Sequence, residues 1–271
     1  MSVFTEIFSY NFLVRAICVG MLVSLCSAML GVSLVLKRFS MIGDGLSHVG
    51  FGALSIAVAV GAAPLKVSVP VVIISAFLLL RLNKNNKLKG DSAIAVISSS
   101  ALAIGVIVTS LSTGLSADLC NYMFGSILAM SKSDVYLSVI LSICVLVTFI
   151  LCYNRIFAIT FDESFASATG THSGVFTMLL AVLTAVTIVV GMRLMGTLLI
   201  SSLIIFPALT SMRIFRNFRS VMISSAVISV ICFFIGIVVS YVYSTPAGAS
   251  IVVVNLLFLI IFSVIGKILK K

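Results

Sequence analysis

Residues 220–266 read SVMISSAVIS VICFFIGIVV SYVYSTPAGA SIVVVNLLFL IIFSVIG, a run without one Asp, Glu, Lys or Arg. Only the turn-forming tetrad Thr245-Pro246-Ala247-Gly248 divides it. Each half supplies the roughly 20 apolar residues that an α-helix needs to cross a hydrocarbon layer about 30 Å thick. Because a backbone in lipid must satisfy its own amides, the stretch reads as two membrane-spanning helices joined by a tight turn.

The rest of the chain repeats this pattern. Further apolar stretches occupy about 12–36, 45–63, 67–82, 92–113, 134–152, 173–192 and 194–212, which gives eight or nine crossings in all. The segment 67–82 is short and interrupted by Pro70, and only Arg193 separates 194–212 from its predecessor, so 194–212 is expected to be re-entrant or broken. Over 271 residues, 61% are hydrophobic and 9% charged, with a mean hydropathy of +1.33, which excludes a soluble fold. No long hydrophilic tract separates a second unit, so residues 1–271 form a single membrane domain, all-α and polytopic. The first apolar segment outruns a signal-peptide core, so a cleaved leader is not expected.

Seventeen Lys and Arg against seven acids give a net charge of +10. The basic residues sit between the apolar runs, where cytoplasmic loops collect them, so no nucleic-acid partner is implied. Arg81, Lys84, Lys87 and Lys89 mark one inward connection, Arg213, Arg216 and Arg219 another, and Lys267, Lys270 and Lys271 the inward end. With one crossing per stretch, 37–43 and 153–172 also face inward, whereas 62–66, 114–133 and 243–247 face outward. Nine crossings then leave the N-terminus outside. The six Cys are scattered without a C-x-x-C pair and read as small buried hydrophobes.

No nucleotide-binding, zinc-protease or nucleophile-elbow motif occurs, so the chain is not expected to be an enzyme. The informative residues are polar ones inside apolar segments, where an ionisable group costs roughly 2.5–3.5 kcal/mol. Asp44 and His48 stand at the start of the second stretch, and their i,i+4 spacing puts both on one helical face. One reading is a carboxylate–imidazole pair that shares a metal cation. The other is a helix N-cap by Asp44 beside a hydrogen-bonding His48, and spacing alone does not separate the two.

The stretch Leu36-Lys37-Arg38-Phe39-Ser40-Met41-Ile42-Gly43-Asp44-Gly45-Leu46-Ser47-His48 resembles the signature of the zinc/manganese-type permeases of bacterial ATP-binding-cassette importers. Gly90-Asp91-Ser92, the run 118–128, Phe161-Asp162-Glu163-Ser164-Phe165-Ala166 with Gly170, the run 191–199 with Pro207-Ala208, and 245–249 continue the resemblance in order. It implies a multi-pass subunit of the bacterial plasma membrane, a homodimer with its pathway at the subunit interface. It further implies that Asp44 and His48 bind the transported metal, and that a separate cytoplasmic ATPase and an extracellular or periplasmic metal-binding protein are partners. A two-fold axis would combine two Asp44 and two His48 into an N₂O₂ set suited to tetrahedral Zn²⁺, with Mn²⁺ as the alternative cargo, or iron. No resident cofactor is expected.

The same resemblance assigns the polar segment at about 160–171 to the coupling helix that docks on the ATPase, with Asp162, Glu163, Ala166 and Gly170 as its contacts. Without the resemblance, it reads equally well as a solvated helix with acids in its first turn. Asp118 and Asn121 fall on an outward connection, where they meet an incoming binding protein or cap a helix. His172 reads as a surface residue, Arg193 as a structural one, and Met192, Met195 and Met212 as packing rather than soft ligands. A gradient-driven secondary transporter and a scaffold subunit without a pathway are the competing classes. The first predicts flux without an ATPase, and the second leaves Asp44 and His48 only a capping role.

Overall fold

The structure, a computed structural model, describes residues 9, 11–84, 90–112 and 132–269. Among the described residues eleven helices follow one another: α1 Asn11–Leu36, α2 Ile42–Ala59, α3 Pro64–Lys84, α4 Gly90–Leu111, α5 Lys132–Leu151, α6 Tyr153–Phe161, α7 Glu163–Ala168, α8 Ser173–Met195, α9 Thr197–Met212, α10 Phe218–Tyr243 and α11 Ala247–Leu269. No strand occurs among the described residues. Each of the nine apolar stretches holds one of these helices.

The helices stop where the backbone chemistry demands it. Arg38 (φ 61°) turns the chain between α1 and α2, and Pro64 opens α3 at a first position where its missing N–H costs nothing. Gly196, at φ 86° and ψ 162°, ends α8 and starts α9 in a region that only glycine occupies readily. Ser244 (φ 53°), just before Thr245-Pro246, closes α10. The chain bends by 70° between Val135–Leu151 and Tyr153–Phe161.

Among the described residues six helices are long and apolar enough to cross a membrane, or seven when this bent pair counts as one span, against the eight or nine crossings expected from the sequence. The apolar parts of α3 and α9, Pro64–Leu79 and Thr197–Met212, fall below that length. These are the two segments whose sequence already set them apart from plain crossings, and Gly196 makes the break before α9 explicit.

The spans differ in how deeply they lie in the bundle. The apolar window of α2 is 72% buried and those of α1 and α8 are each 67% buried, against 17% for α4 and 28% for α11. The first group is therefore the core, and the second turns most of its surface to lipid or to another chain. Small residues let the core helices approach closely, as association in lipid requires. Gly31 of α1 meets the Ile204 carbonyl of α9, and a Cβ on Gly52 of α2 would stand 2.6 Å from the Ala101 carbonyl oxygen of α4. Across α1 and α10, Ser229 Oγ donates to the Ser24 carbonyl at 3.0 Å.

Contacts gather several connections at one end. Lys37 pairs with Glu163, Arg155 donates to Thr171, the Tyr153 and Phe218 rings lie 5.6 Å apart, and Gly266 abuts the Arg213 carbonyl. The turn 37–41, the segment 153–172, the loop 213–217 and the end of α11 thus share one face. That grouping is what the distribution of basic residues predicts for the cytoplasmic side.

Candidate metal site on the second helix

Helix α2 is buried on nearly every side, because Gly43, Gly45, Gly50 and Gly52 let α4, α8 and α9 close on it. A Cβ on Gly45 would meet Ile94 Cγ2 at 2.5 Å, and one on Gly50 would meet Met192 Cε at 2.8 Å. The less buried positions are Met41, Asp44, His48 and Ile56, followed by Val58 and Ala59 at the helix end. Met41, Asp44 and His48 recur at helical spacing, so one stripe of α2 opens outward and carries both ionisable groups.

His48 Nε2 stands 3.6 Å from Asp44 Oδ2, with the Asp44 side chain 46% exposed and the His48 side chain 21% exposed. The other imidazole nitrogen, Nδ1, is buried without a hydrogen-bond partner, so Nε2 is the nitrogen that faces the opening. Two ligand atoms each about 2.0–2.1 Å from a tetrahedral zinc are about 3.3–3.4 Å apart. The observed 3.6 Å therefore needs only a small closure to grip one ion. Asp44 does not cap the helix: the N-cap position is Met41, which makes no side-chain cap bond.

A third group, not anticipated from the sequence, completes the local geometry. Ser201 Oγ, one turn into α9, lies 3.3 Å from Asp44 Oδ1 and 3.1 Å from the Thr197 carbonyl. It can hold one carboxylate oxygen while the other faces His48. Nothing in Thr197-Leu198-Leu199-Ile200-Ser201 distinguishes this hydroxyl from the many serines that bond their own helix, because its partner is 157 positions away. Among the described residues no cluster of three or more His, Cys, Asp or Glu occurs, so Asp44 and His48 stand as a pair without a third such group beside them there.

The second expected site is α7. Asp162 is its N-cap, accepting from the Phe165 N–H at 2.9 Å, and Glu163 Oε2 is 3.5 Å from Lys37 Nζ. Ala166 differs from expectation: it is 0% exposed, so its small size packs α7 onto the bundle and offers nothing to a partner. Gly170 sits at φ 83° with open space where a Cβ would be. The exposed apolar group is Phe165, at 65%. Its sequence context does not mark it, because an aromatic in an apolar chain carries no signal until its neighbours turn inward.

Asp118 and Asn121 lie outside the described residues. His172 is exposed, and Met192 and Met195 are fully packed in the core, as their sequence context indicated. Cys18, Cys26, Cys144, Cys152 and Cys232 are all free thiols.

Comparison with known proteins gives a consistent picture. The model of the ABC 3 transport family matches residues 9–266. The chain is 30% identical to the high-affinity zinc uptake system membrane protein ZnuB of Haemophilus influenzae, covering 95% of this chain and 98% of that protein. It is 29% identical to the manganese transport system membrane protein MntC of Halalkalibacterium halodurans, covering 93% and 86%. Among solved structures, PsaBC from Streptococcus pneumoniae in complex with Fab superposes with a TM-score of 0.87 at 25% identity, over 96% of this chain and 94% of that one. With six candidate spans among the described residues, the protein is a multi-pass protein of the bacterial inner membrane.

Proposed function

We propose, from the premise that this chain belongs to the ABC 3 transport family, that it forms the membrane-spanning permease of an ATP-driven importer whose cargo is a divalent transition-metal ion, zinc. The observation that carries the reading is the Asp44–His48 pair, 3.6 Å apart on the open stripe of α2. A carboxylate and a neutral imidazole are good zinc ligands, and their separation suits a shared ion. One chain supplies half of a tetrahedral set. A second copy related by a two-fold axis supplies the other half, and the two carboxylates balance the charge of the ion. Leu198, at 45% exposure, leaves apolar surface beside Ser201 for that second copy.

In this scheme the pathway runs between two protomers with α2 and α9 of each along it. The apolar helices cross in alternating directions, α3 and α9 being the short ones, and if all nine cross the N-terminus is outside. Rocking the protomers apart would halve the ligand number and release the ion. Hydrolysis of ATP resides on a separate cytoplasmic subunit that docks against α7, and metal is delivered by an extracellular or periplasmic binding protein. Asp162 shapes α7, Phe165 presents its apolar contact, and Glu163 and Gly170 flank it.

The second reading is a manganese importer of the same architecture, favoured by the manganese relative quoted above. Manganese prefers more oxygen ligands than this pair provides, which supports zinc. Reconstitution with and without the ATPase, followed by zinc and manganese uptake, tests all of this. ATP-dependent zinc uptake supports the proposal, preferential manganese uptake supports the second reading, and flux without ATPase contradicts both.

A further inference from the structure

Lys37 lies in the turn between α1 and α2, seven positions before Asp44, and its side chain is only 8% exposed. Its ammonium stands 3.5 Å from Glu163 Oε2 at the start of α7 and donates to Thr177 Oγ1 of α8 at 3.2 Å. One charge therefore joins the turn after α1 to two successive elements far along the chain, α7 and α8. Burial pushes this ammonium below its ordinary value, and the Glu163 carboxylate opposes that shift. Packing alone does not call for such a group, since buried Ala166 already seats α7, and with the Glu163 side chain 41% exposed the pair itself adds little to stability.

What distinguishes the pair from apolar packing is its direction, and the turn after Lys37 has little slack. Backbone bonds run from Lys37 N to Ser33 O, Arg38 N to Val35 O, Phe39 N to Leu34 O and Ile42 N to Phe39 O. Arg38 holds a left-handed conformation that a residue with a Cβ adopts at a cost. A displacement of Lys37 is thus carried into the first turn of α2, where Asp44 sits.

We propose that Lys37 is a positioning residue that ties α7 to the turn preceding Asp44, so that a pull on α7 by the ATPase reaches the metal carboxylate. The inference rests on the coupling role proposed for α7. Its test uses the full permease with its ATPase in proteoliposomes, measuring zinc moved per ATP hydrolysed. Lys37→Met and Glu163→Gln should still bind zinc as purified dimers, yet move roughly 5-fold less zinc per ATP or lower, the range of a modest coupling energy. The reversed pair Lys37→Glu with Glu163→Lys should recover most of what Lys37→Glu alone loses.

Undiminished zinc per ATP in both neutral variants, or a reversed pair no better than Lys37→Glu, overturns the tie. A second readout separates this from failure of the transport reading. Amide hydrogen exchange over 37–44 should change when ATPase binds the wild type and not when it binds Lys37→Met. If the wild type moves no zinc, the transport reading fails, and the exchange response alone then upholds or overturns the tie.

Discussion

Replacing Ser201 with Ala removes the hydroxyl that bonds the Asp44 carboxylate and leaves the proposed ligands Asp44 and His48 in place. The oxygen is 3.3 Å from Oδ1 and 3.1 Å from the Thr197 carbonyl, so a single proton is shared between two acceptors. A hydrogen bond to a charged group contributes about 1.5–3 kcal/mol when well formed. Sharing, the long distance and the half-exposed carboxylate reduce this to about 0.5–1 kcal/mol per protomer. Two protomers around one ion give about 1–2 kcal/mol, or roughly 5- to 30-fold weaker zinc binding. Titration of the purified dimer against a competing chelator reads this directly, with Ser201→Thr as the variant that keeps a hydroxyl. Affinity within twofold of wild type in Ser201→Ala refutes the orienting role, and complete loss makes Ser201 a ligand instead.

Asp44→Ala and His48→Ala should each abolish zinc uptake while leaving dimer assembly intact, measured by uptake and by size-exclusion chromatography of the same preparations. Gly52→Val places side-chain atoms against the Ala101 carbonyl, so α2 and α4 must separate; a loss of about 1–3 kcal/mol should appear as a lower unfolding temperature in detergent. Phe165→Ala should preserve folding yet lower the affinity for the ATPase, seen in pull-down of the complex. Asp162→Ala removes the cap of α7 at about 1 kcal/mol, and faster amide exchange over 163–168 checks it.

The all-helical, multi-pass character was legible because bilayer physics acts on runs of residues, whereas the eight or nine crossings expected compare with six or seven candidate spans among the described residues. Uncharged stretches such as 220–243 and 247–266 must be helical to satisfy their own amides. The pairing of Asp44 with His48 was equally legible, since i,i+4 spacing fixes it within one helix. Whether Asp44 caps or faces outward was not, because that depends on where α2 begins, and the chain starts it at Ile42 rather than at Asp44.

Long-range partners stayed hidden for a related reason. Ser201 reaches Asp44, and Lys37 reaches Glu163, only once the helices are placed, and neither contact leaves a periodic trace. The length of α9 was ambiguous in the same way: its apolar residues run on from α8, and only the backbone of Gly196 separates them. Ala166 illustrates the opposite error, in which small size suggested an interface and burial shows internal packing.

The most direct test is zinc stoichiometry on the purified wild-type permease and on Asp44→Ala, by elemental analysis after equilibrium dialysis. One tightly held zinc per two chains in the wild type, lost in Asp44→Ala, is the result expected of a site split between protomers. One zinc per single chain, or full retention in Asp44→Ala, contradicts it.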